Sequence, residues 1–248
     1  KDPGLNLPWI KGTFASFEDL VQVDDYQIDI LVHLGAVTGG VTERECILVN
    51  VEGTRCLLRY LINRGCKKYV LASSIAAVGF QDRKFRPVHL PITDDHPCLD
   101  RSGYGISKYF MEEISKYCYR QSEDIDIINL RLSSVCVDNN IPPLKDISPL
   151  TEWSLGGITI MNLTDAIRAF TMSVENPYKP GVRIMNATGP KAWTSVPVAE
   201  ILRNWWGDDV DLSYFEQSGN EYDSVYDVSR IQQEIGFIAL HTPKITSS

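Results

Sequence analysis

The stretch "IDILVHLG", residues 28–35, decides the fold together with the segments that follow it. It is a short apolar run that ends at a glycine, which is typical of a buried parallel strand. Apolar residues at helical spacing then predict a helix from about 43 to 64, which ends before Gly65. A second apolar run, "KKYVLAS" at 67–73, follows. Strand, helix and strand in this order predict a right-handed crossover unit of a parallel sheet.

The same alternation continues along the chain. A helix is expected at about 104–121 and a strand at 126–132, followed by the strand "GITIM", the helix "LTDAIRAFTMSV" and the strand "GVRIMNA". Helices are also expected at "SVPVAEILRNWW" and around "DVSRIQQEIGF". This order predicts an α/β fold, a doubly wound parallel sheet with helices on both faces. We assign 1–135 and 157–188 to this sheet domain, and 136–156 and 189–248 to a smaller cap.

Composition and charge exclude several classes of partner. The net charge of −8 disfavours nucleic acid, because phosphate binding needs a basic patch. No apolar run is long enough to span a bilayer and no secretion signal is visible, so we expect no membrane contact and a cytoplasmic location. The six cysteines form no C-x-x-C pair, so we expect reduced thiols and no metal site.

Ligands of open parallel sheets lie at the carboxyl ends of the strands. The first strand ends in "HLGAVTGG", where Gly35 and Ala36 allow either the close approach of a ligand or tight packing. The second ends in "ASSIAAVG", and the hydroxyls of Ser73 and Ser74 either face a ligand or bond to local backbone. The segment "SGYGISKYF", residues 102–110, places a tyrosine and a lysine four positions apart on one helix face. This spacing suits an acid/base pair but is not specific by itself.

An ordered set of segments is more specific than any one of them. The chain contains "ILVHLGA", "VNVEGTRCLLRYLINRGCKKYVLASSIAAVG", "YGISK" and "YDVSRIQQEIGF" in this order. In this set the chain resembles the extended short-chain dehydrogenase/reductase family, also called the NAD-dependent epimerase/dehydratase family. The resemblance implies a Rossmann-like fold, a dinucleotide cofactor (NAD, with NADP left open), a small-molecule substrate and a homodimer that pairs through the two long helices.

The resemblance also implies roles for individual residues. Tyr104 would be the acid/base, Lys108 would lower its pKa and hold the nicotinamide ribose, Ser74 would hold the substrate oxygen and Asn50 would organise the site. The expected cofactor-binding residues are Leu34, Gly35, Ala36, Val37, Ser73, Tyr104, Lys108 and Leu132. The expected substrate-binding residues are Ser74, Ile75, Ala76 and Ser134.

Departures from the family pattern narrow the reaction. Ile75 and Ala76 stand where sugar-nucleotide dehydratases carry Asp and Glu, which argues against dehydration. Ser134 replaces the asparagine typical of nucleotide-sugar epimerases, a feature shared with uronate dehydrogenases, although only Lys145 offers a cation for a substrate carboxylate. The glycine-rich phosphate motif does not precede "PWIKGTFASFEDL", which resembles the third strand and following helix of the family. We therefore expect roughly fifty further residues ahead of Lys1 in the intact protein.

Three functions remain open from the sequence. The leading hypothesis is an NAD(P)-dependent oxidoreductase that acts on a sugar, a sugar acid or a related alcohol. An epimerase of the same family differs by returning the hydride to the other face of the substrate. A binding module that keeps the fold and has lost catalysis is the third, and the presence of Ser74, Tyr104 and Lys108 together argues against it.

Overall fold

The computed structural model describes residues 7–243. Its strands are β1 (Ile30–His33), β2 (Lys68–Ser74), β3 (Asp126–Leu132), β4 (Ser134–Cys136), β5 (Ile160–Asn162) and β6 (Gly181–Ala187). Its α-helices are α1 (Phe17–Leu20), α2 (Glu43–Glu45), α3 (Thr54–Ile62), α4 (Gly103–Gln121), α5 (Ser154–Ile158), α6 (Leu163–Glu175), α7 (Val198–Trp206) and α8 (Ser229–Ile235). A π-helical segment, Cys46–Gly53, joins α2 to α3 without a break.

Four strands form one parallel sheet in the order β1-β2-β3-β6. Val32 pairs with Val70, Val70 with Ile128 and Ile128 with Arg183, so the carboxyl ends of the four strands share one edge. Strands β4 and β5 form a separate parallel pair beyond that edge. The predicted parallel α/β sheet is confirmed.

Helices cover both faces of the sheet because side chains of a strand point alternately to its two sides. Tyr69 and Leu71 of β2 pack into a cluster with α1, α3 and α4, whereas Val70 between them packs on the opposite face with α6 and α8. A third cluster joins α7 to the segment after β2, and Ile75 and Trp205 both belong to it. The first two clusters are the doubly wound arrangement that the sequence predicts. The predicted division into a sheet domain and a cap stays a prediction.

Two predicted strands differ from the structure. "GITIM" contributes only its last two residues to β5, because Gly157 and Ile158 belong to α5. The stretch that resembles the third strand of the family has no strand between residues 7 and 16. Thr13 instead donates its backbone N–H to Asp19 Oδ2 (2.8 Å), and Ser16 caps α1, so local turn bonds satisfy this backbone.

Strand β1 lies at one edge of the sheet and is covered on one side only. His33 is buried against α3, while Ile30 and Val32 point to the other face and are exposed. Leu34 follows the strand and is 61% exposed. The carboxyl end of β1 therefore presents apolar side chains to solvent, in contrast to the buried ends of β2 and β3.

Candidate functional site

Strand β2 ends at Ser74, directly beside the amino end of α4. The hydroxyl of Ser74 caps a short 3-10 turn, Ile75–Ala77, by accepting the backbone N–H of Ala76 at 3.2 Å. Helix α4 begins after Ser102, whose hydroxyl accepts the N–H of Gly105 at 3.0 Å. These two caps fix the end of the strand and the start of the helix next to each other.

A glycine allows this close approach. A Cβ on Gly105 would lie 2.6 Å from the carbonyl oxygen of Ala76 and 2.2 Å from the Asp100 side chain. Both contacts are shorter than any real side chain tolerates, so only glycine lets the turn after Ser74 touch the first turn of α4. The glycine of "YGISK" thereby sets how near Tyr104 lies to Ser74.

Tyr104 and Lys108 point into the same region, as their spacing predicts. The ammonium nitrogen of Lys108 lies 5.8 Å from the centroid of the Tyr104 ring. Lys108 is buried and donates a hydrogen bond to the carbonyl oxygen of Ala72 at 2.7 Å. Because Ala72 lies two residues before Ser74 on β2, this bond ties the lysine to the strand that carries the serine.

Burial dominates the acid/base properties of the pair. It raises the pKa of Tyr104 above its ordinary value, and hydrogen bonds with the hydroxyls of Ser74 and Thr38 oppose the rise. Burial also lowers the pKa of Lys108 to about 8, against the charge of Glu112. The sequence interpretation has Lys108 lowering the pKa of the phenol. Without a cofactor the net shift of the Tyr104 pKa is upward, because burial outweighs the contributions of the Ser74 and Thr38 hydroxyls. The lowering of this pKa by Lys108 in the presence of nicotinamide stays a prediction.

Asn50 connects the end of β1 to helix α4. Its carboxamide oxygen accepts the backbone N–H of Val37 at 2.8 Å, and its Nδ2 donates to the carbonyl of Val37 (3.0 Å) and to Ser107 Oγ (2.9 Å). Both amide hydrogens are thus used, and Asn50 lies in the π-helical segment. Such segments are frequent at functional sites. Asn50 therefore holds Val37 and α4 in register, and the organising role expected for it stays a prediction.

The remaining cofactor-binding candidates divide into two groups. Leu34, Gly35 and Ala36 line the exposed carboxyl end of β1. A Cβ on Gly35 would come within 2.7 Å of the Phe14 ring, so this glycine makes room for packing as well. Leu132 ends β3 in register with Ser74. Ser73 points away from these residues, because its hydroxyl donates to Glu112 Oε1 at 2.6 Å inside the protein.

The substrate-binding candidates lie in two different environments, the buried core and an open cleft. Ile75 and Ala76 are buried and pack into the cluster around α7, so only their backbone is near the strand end. Ser134 donates its hydroxyl hydrogen to the carbonyl of Gly156 at 2.8 Å. It lies on a cleft of about 630 Å³, which is lined among others by Cys136, Lys145, Trp153 and Trp205. Lys145 is exposed there and brings a positive charge to the cleft.

Several residues of this region escaped the sequence reasoning. Thr38 acts on Tyr104 from the loop after β1, and Ser107 bonds to Asn50. Glu112 forms a buried ion pair with Arg131 of β3. Ser107 stands inside "YGISK" and Glu112 one helical turn after Lys108, so their spacing offered a signal; nothing in the sequence links Thr38 to Tyr104.

Two features are absent from the part of the chain that the structure describes. Among residues 7–243, no group of three or more His, Cys, Asp or Glu side chains is arranged to hold a metal ion. Within the same range, no helix combines the length and apolarity needed to cross a membrane.

Curated proteins of similar sequence are sugar-nucleotide epimerases by name. A UDP-glucose 4-epimerase of Oryza sativa is 37% identical over 82 residues, which cover 33% of this chain and 21% of that protein. One of Drosophila melanogaster is 29% identical over 114 residues, 43% of this chain and 30% of its own length. A putative UDP-arabinose 4-epimerase of Arabidopsis thaliana is 22% identical over 222 residues, 77% of this chain and 52% of that one. These matches thus span between about a fifth and a half of the relatives' lengths.

Solved structures and a family model agree on the fold. The Bordetella bronchiseptica enzyme WbmG, solved with NAD and UDP, superposes with a TM-score of 0.65 at 20% identity and covers 97% of this chain and 76% of its own. The UDP-glucose 4-epimerase of Bifidobacterium longum, solved with NAD+ and UDP, gives 0.66 at 18% identity, with 93% and 78% coverage. The model of the NAD dependent epimerase/dehydratase family matches residues 4–145, more than half of the chain. With this match and this sheet, the chain belongs to the NAD-dependent epimerase/dehydratase family.

Proposed function

We propose that this chain carries the proton-transfer half of an NAD-dependent oxidoreductase acting on a sugar, a sugar acid or a related alcohol. The observation that supports the proposal is the convergence of Tyr104, Lys108 and the hydroxyl of Ser74 at one strand end, with Lys108 Nζ 5.8 Å from the Tyr104 ring. A phenol, an ammonium and a hydroxyl in this arrangement suit the removal of a proton from a carbinol oxygen.

The side chains divide the work of moving that proton. Ser74 orients the substrate oxygen toward Tyr104, and Tyr104 takes the proton as the carbon gives up its hydride. Tyr104 accepts this proton as a phenolate, and the hydroxyls of Ser74 and Thr38 stabilise that phenolate before the transfer, since hydrogen bonds to a charged form favour it. Lys108 adds a positive charge to the same pocket. Because Lys108 is buried, water does not screen this charge.

The residues around β1 fit the nicotinamide end of the cofactor. Leu34, Gly35, Ala36 and Val37 follow β1, and the small residues Gly35 and Ala36 are exposed there, so a flat ring and its ribose can approach the strand end. Lys108 would hold the ribose hydroxyls and Leu132 would pack against the ring, while Ser73 would contribute only backbone, since its hydroxyl is bonded to Glu112. When bound, NAD supplies the acceptor for the hydride. The family name and the NAD-bound structural neighbours support this cofactor.

Interconversion of sugar epimers is the second candidate. Three of the curated relatives described above are named as UDP-sugar epimerases, and that reaction uses the same proton and hydride transfers. The cleft beside Ser134 has room and a positive charge at Lys145 for an anionic part of the substrate, either a carboxylate or a diphosphate. Ser134, which replaces the asparagine typical of nucleotide-sugar epimerases, argues for the oxidoreductase, whereas Ile75 and Ala76 argue only against dehydration.

We also propose that two copies pair through the π-helical segment, α3 and α4. These helices pack side by side and leave Leu48, Phe110 and Tyr117 exposed. Exposed apolar residues on neighbouring helices suit a helical interface between copies. Sedimentation of the protein in solution tests this part of the proposal.

Removing the phenol oxygen of Tyr104 tests the proposed proton transfer. The protein and its Tyr104→Phe variant are incubated with NAD and either uronic acids or UDP-glucose, and NADH and the sugar products are measured. We expect turnover to fall by about 10²- to 10⁴-fold in Tyr104→Phe, because the oxygen that accepts the substrate proton is lost. Tyr109→Phe on the same helix is the control and should retain full turnover. Net NADH formation identifies the oxidoreductase, and a new epimer without NADH identifies the epimerase.

Two outcomes would count against the proposal. Equal turnover of wild type and Tyr104→Phe would remove Tyr104 from the chemistry. Tight NAD binding without turnover on any of these sugars would favour the binding module instead.

A further inference from the structure

A buried ion pair lies one helical turn from Lys108, and neither of its side chains gives or takes the proton in the proposed reaction. Glu112 follows Lys108 by one helical turn on α4 and is buried, as is Arg131 of β3. The two side chains form a two-pronged ion pair, with Arg131 Nε to Glu112 Oε1 at 2.9 Å and Arg131 Nη2 to Oε2 at 2.8 Å. Planar pairs of this kind have a fixed geometry.

The carboxylate of Glu112 is held from a third side as well. Ser73 Oγ donates to Glu112 Oε1 at 2.6 Å, and Ser73 immediately precedes Ser74. Arg131 is itself fixed, because its Nη1 donates to the carbonyl of Asp94 at 2.9 Å. Strands β2 and β3 and the loop before α4 therefore all determine where the charge of Glu112 lies.

A buried pair of opposite charges is costly unless its geometry is satisfied, and here it is. Replacing both groups by apolar residues often leaves stability unchanged, so stability alone does not account for a negative charge at this position. Lys108 is a buried cation one turn away, and its own hydrogen bond goes to a neutral carbonyl, that of Ala72. Glu112 is the neighbour whose charge opposes the effect of burial on the pKa of Lys108.

We infer that Glu112 is a positioning residue that keeps Lys108 a cation beside Tyr104, and that Arg131 and Ser73 hold its carboxylate in place for this purpose. The inference rests on the proposed function, since it assigns Glu112 to the same proton-transfer site. Glu112 acts through Lys108 and contacts neither Tyr104 nor a substrate.

The other titratable groups near this pair do not supply the charge. Tyr104 of α4 is a neutral phenol, and His33 of β1 is kept uncharged because burial and Lys108 lower its pKa to about 4. Cys98, in the loop before α4, faces the Glu112–Arg131 pair, and burial raises the pKa of its thiol. At neutral pH the negative charge nearest to Lys108 in this set is thus that of Glu112.

The charge state of Lys108 is measured directly by NMR of the protein labelled with ¹⁵N-lysine, with Lys108→Met to assign the signal. In wild type we expect a titration midpoint near 8. In Glu112→Gln, which keeps a hydrogen-bond acceptor for Arg131 and Ser73, we expect the midpoint to fall by about one unit, as the loss of an opposite charge at close range implies. Glu113→Gln is the matched control. It removes the neighbouring charge, which pairs with Lys116 near the surface, and should leave the midpoint unchanged.

A midpoint in Glu112→Gln equal to that of wild type would overturn the inference. Should Glu112→Gln not fold, because Arg131 is left unpaired, the double variant Glu112→Met/Arg131→Met is compared with Arg131→Met. The Lys108 midpoint must be lower in the double variant, because only the charge at position 112 differs between the two; equal midpoints would overturn the inference. The titration needs no substrate, so a negative result refutes the role of Glu112 without refuting the proposed function. An active Tyr104→Phe would refute the function and leave the Lys108 midpoint as it is.

Discussion

The two sides of the candidate site differ in how they are built. On the side of β2 and α4, Ser74 and Lys108 are buried and held by hydrogen bonds to backbone or by caps. On the side of β1, Leu34 is 61% exposed and Gly35 and Ala36 are open to solvent. Asn50 links the two through Val37 and Ser107. In the proposed function, proton transfer takes place in a rigid, desolvated pocket and the cofactor contacts an open strand end.

This difference predicts whether a substitution on each side changes turnover, stability or affinity. Preorganised groups in a desolvated pocket lose little in reorganisation during the reaction, whereas an exposed apolar surface gains most from a ligand that covers it. Changes on the buried side should therefore alter turnover and stability. Substitutions on the open side should alter only the affinity for NAD.

Removing the buried cation Lys108 should have a large effect on turnover. In Lys108→Met the pocket loses the charge that stabilises a phenolate on Tyr104, and we expect turnover to fall by about 10²- to 10³-fold. Lys116→Met, on the exposed part of the same helix, is the control and should be fully active. Initial rates with the best sugar substrate measure both. Wild-type rates in Lys108→Met would mean that the buried side does not carry the chemistry.

The pH dependence of stability tests the one buried side chain at the end of β1. His33 contacts Thr54 at 3.0 Å, and burial, assisted by the charge of Lys108, lowers its pKa from 6.5 to about 4. A histidine with a lowered pKa binds its proton more readily in the unfolded chain. Its contribution is therefore present above pH 6.5 and is lost as the pH falls toward 4, by about 3 kcal/mol in total.

The variant His33→Gln lacks this titration and keeps a hydrogen-bonding group for Thr54. Urea unfolding between about pH 7 and pH 4 should show wild type losing more stability than His33→Gln over this window. His89→Gln, at an exposed histidine, should follow the wild-type curve. If the stability of wild type and His33→Gln changes equally with pH, burial does not lower the pKa of His33.

The sequence predicted the parts of the site that depend on local spacing. Strands β2, β3 and β6 and helix α4 lie where the apolar pattern places them, and the four-residue spacing puts Tyr104 and Lys108 on one face. The direction of the Ser73 hydroxyl was not predictable, because its partner Glu112 is distant in the chain and two neighbouring serines look alike. The raised pKa of Tyr104 was missed for a related reason, since burial depends on packing between distant segments.

A change on the open side should have the smallest effect and separates affinity from stability. Leu34→Ser removes an apolar side chain that is already 61% exposed, so the unfolding free energy should change by less than about 0.5 kcal/mol. If NAD covers this strand end, the variant loses about 1 kcal/mol of apolar contact, or roughly fivefold in affinity. Calorimetric titration with NAD measures this loss, and Val88→Ser, which is 67% exposed in the loop after β2, is the control. Unchanged NAD affinity in Leu34→Ser would move the cofactor away from β1 and leave the open side without a role.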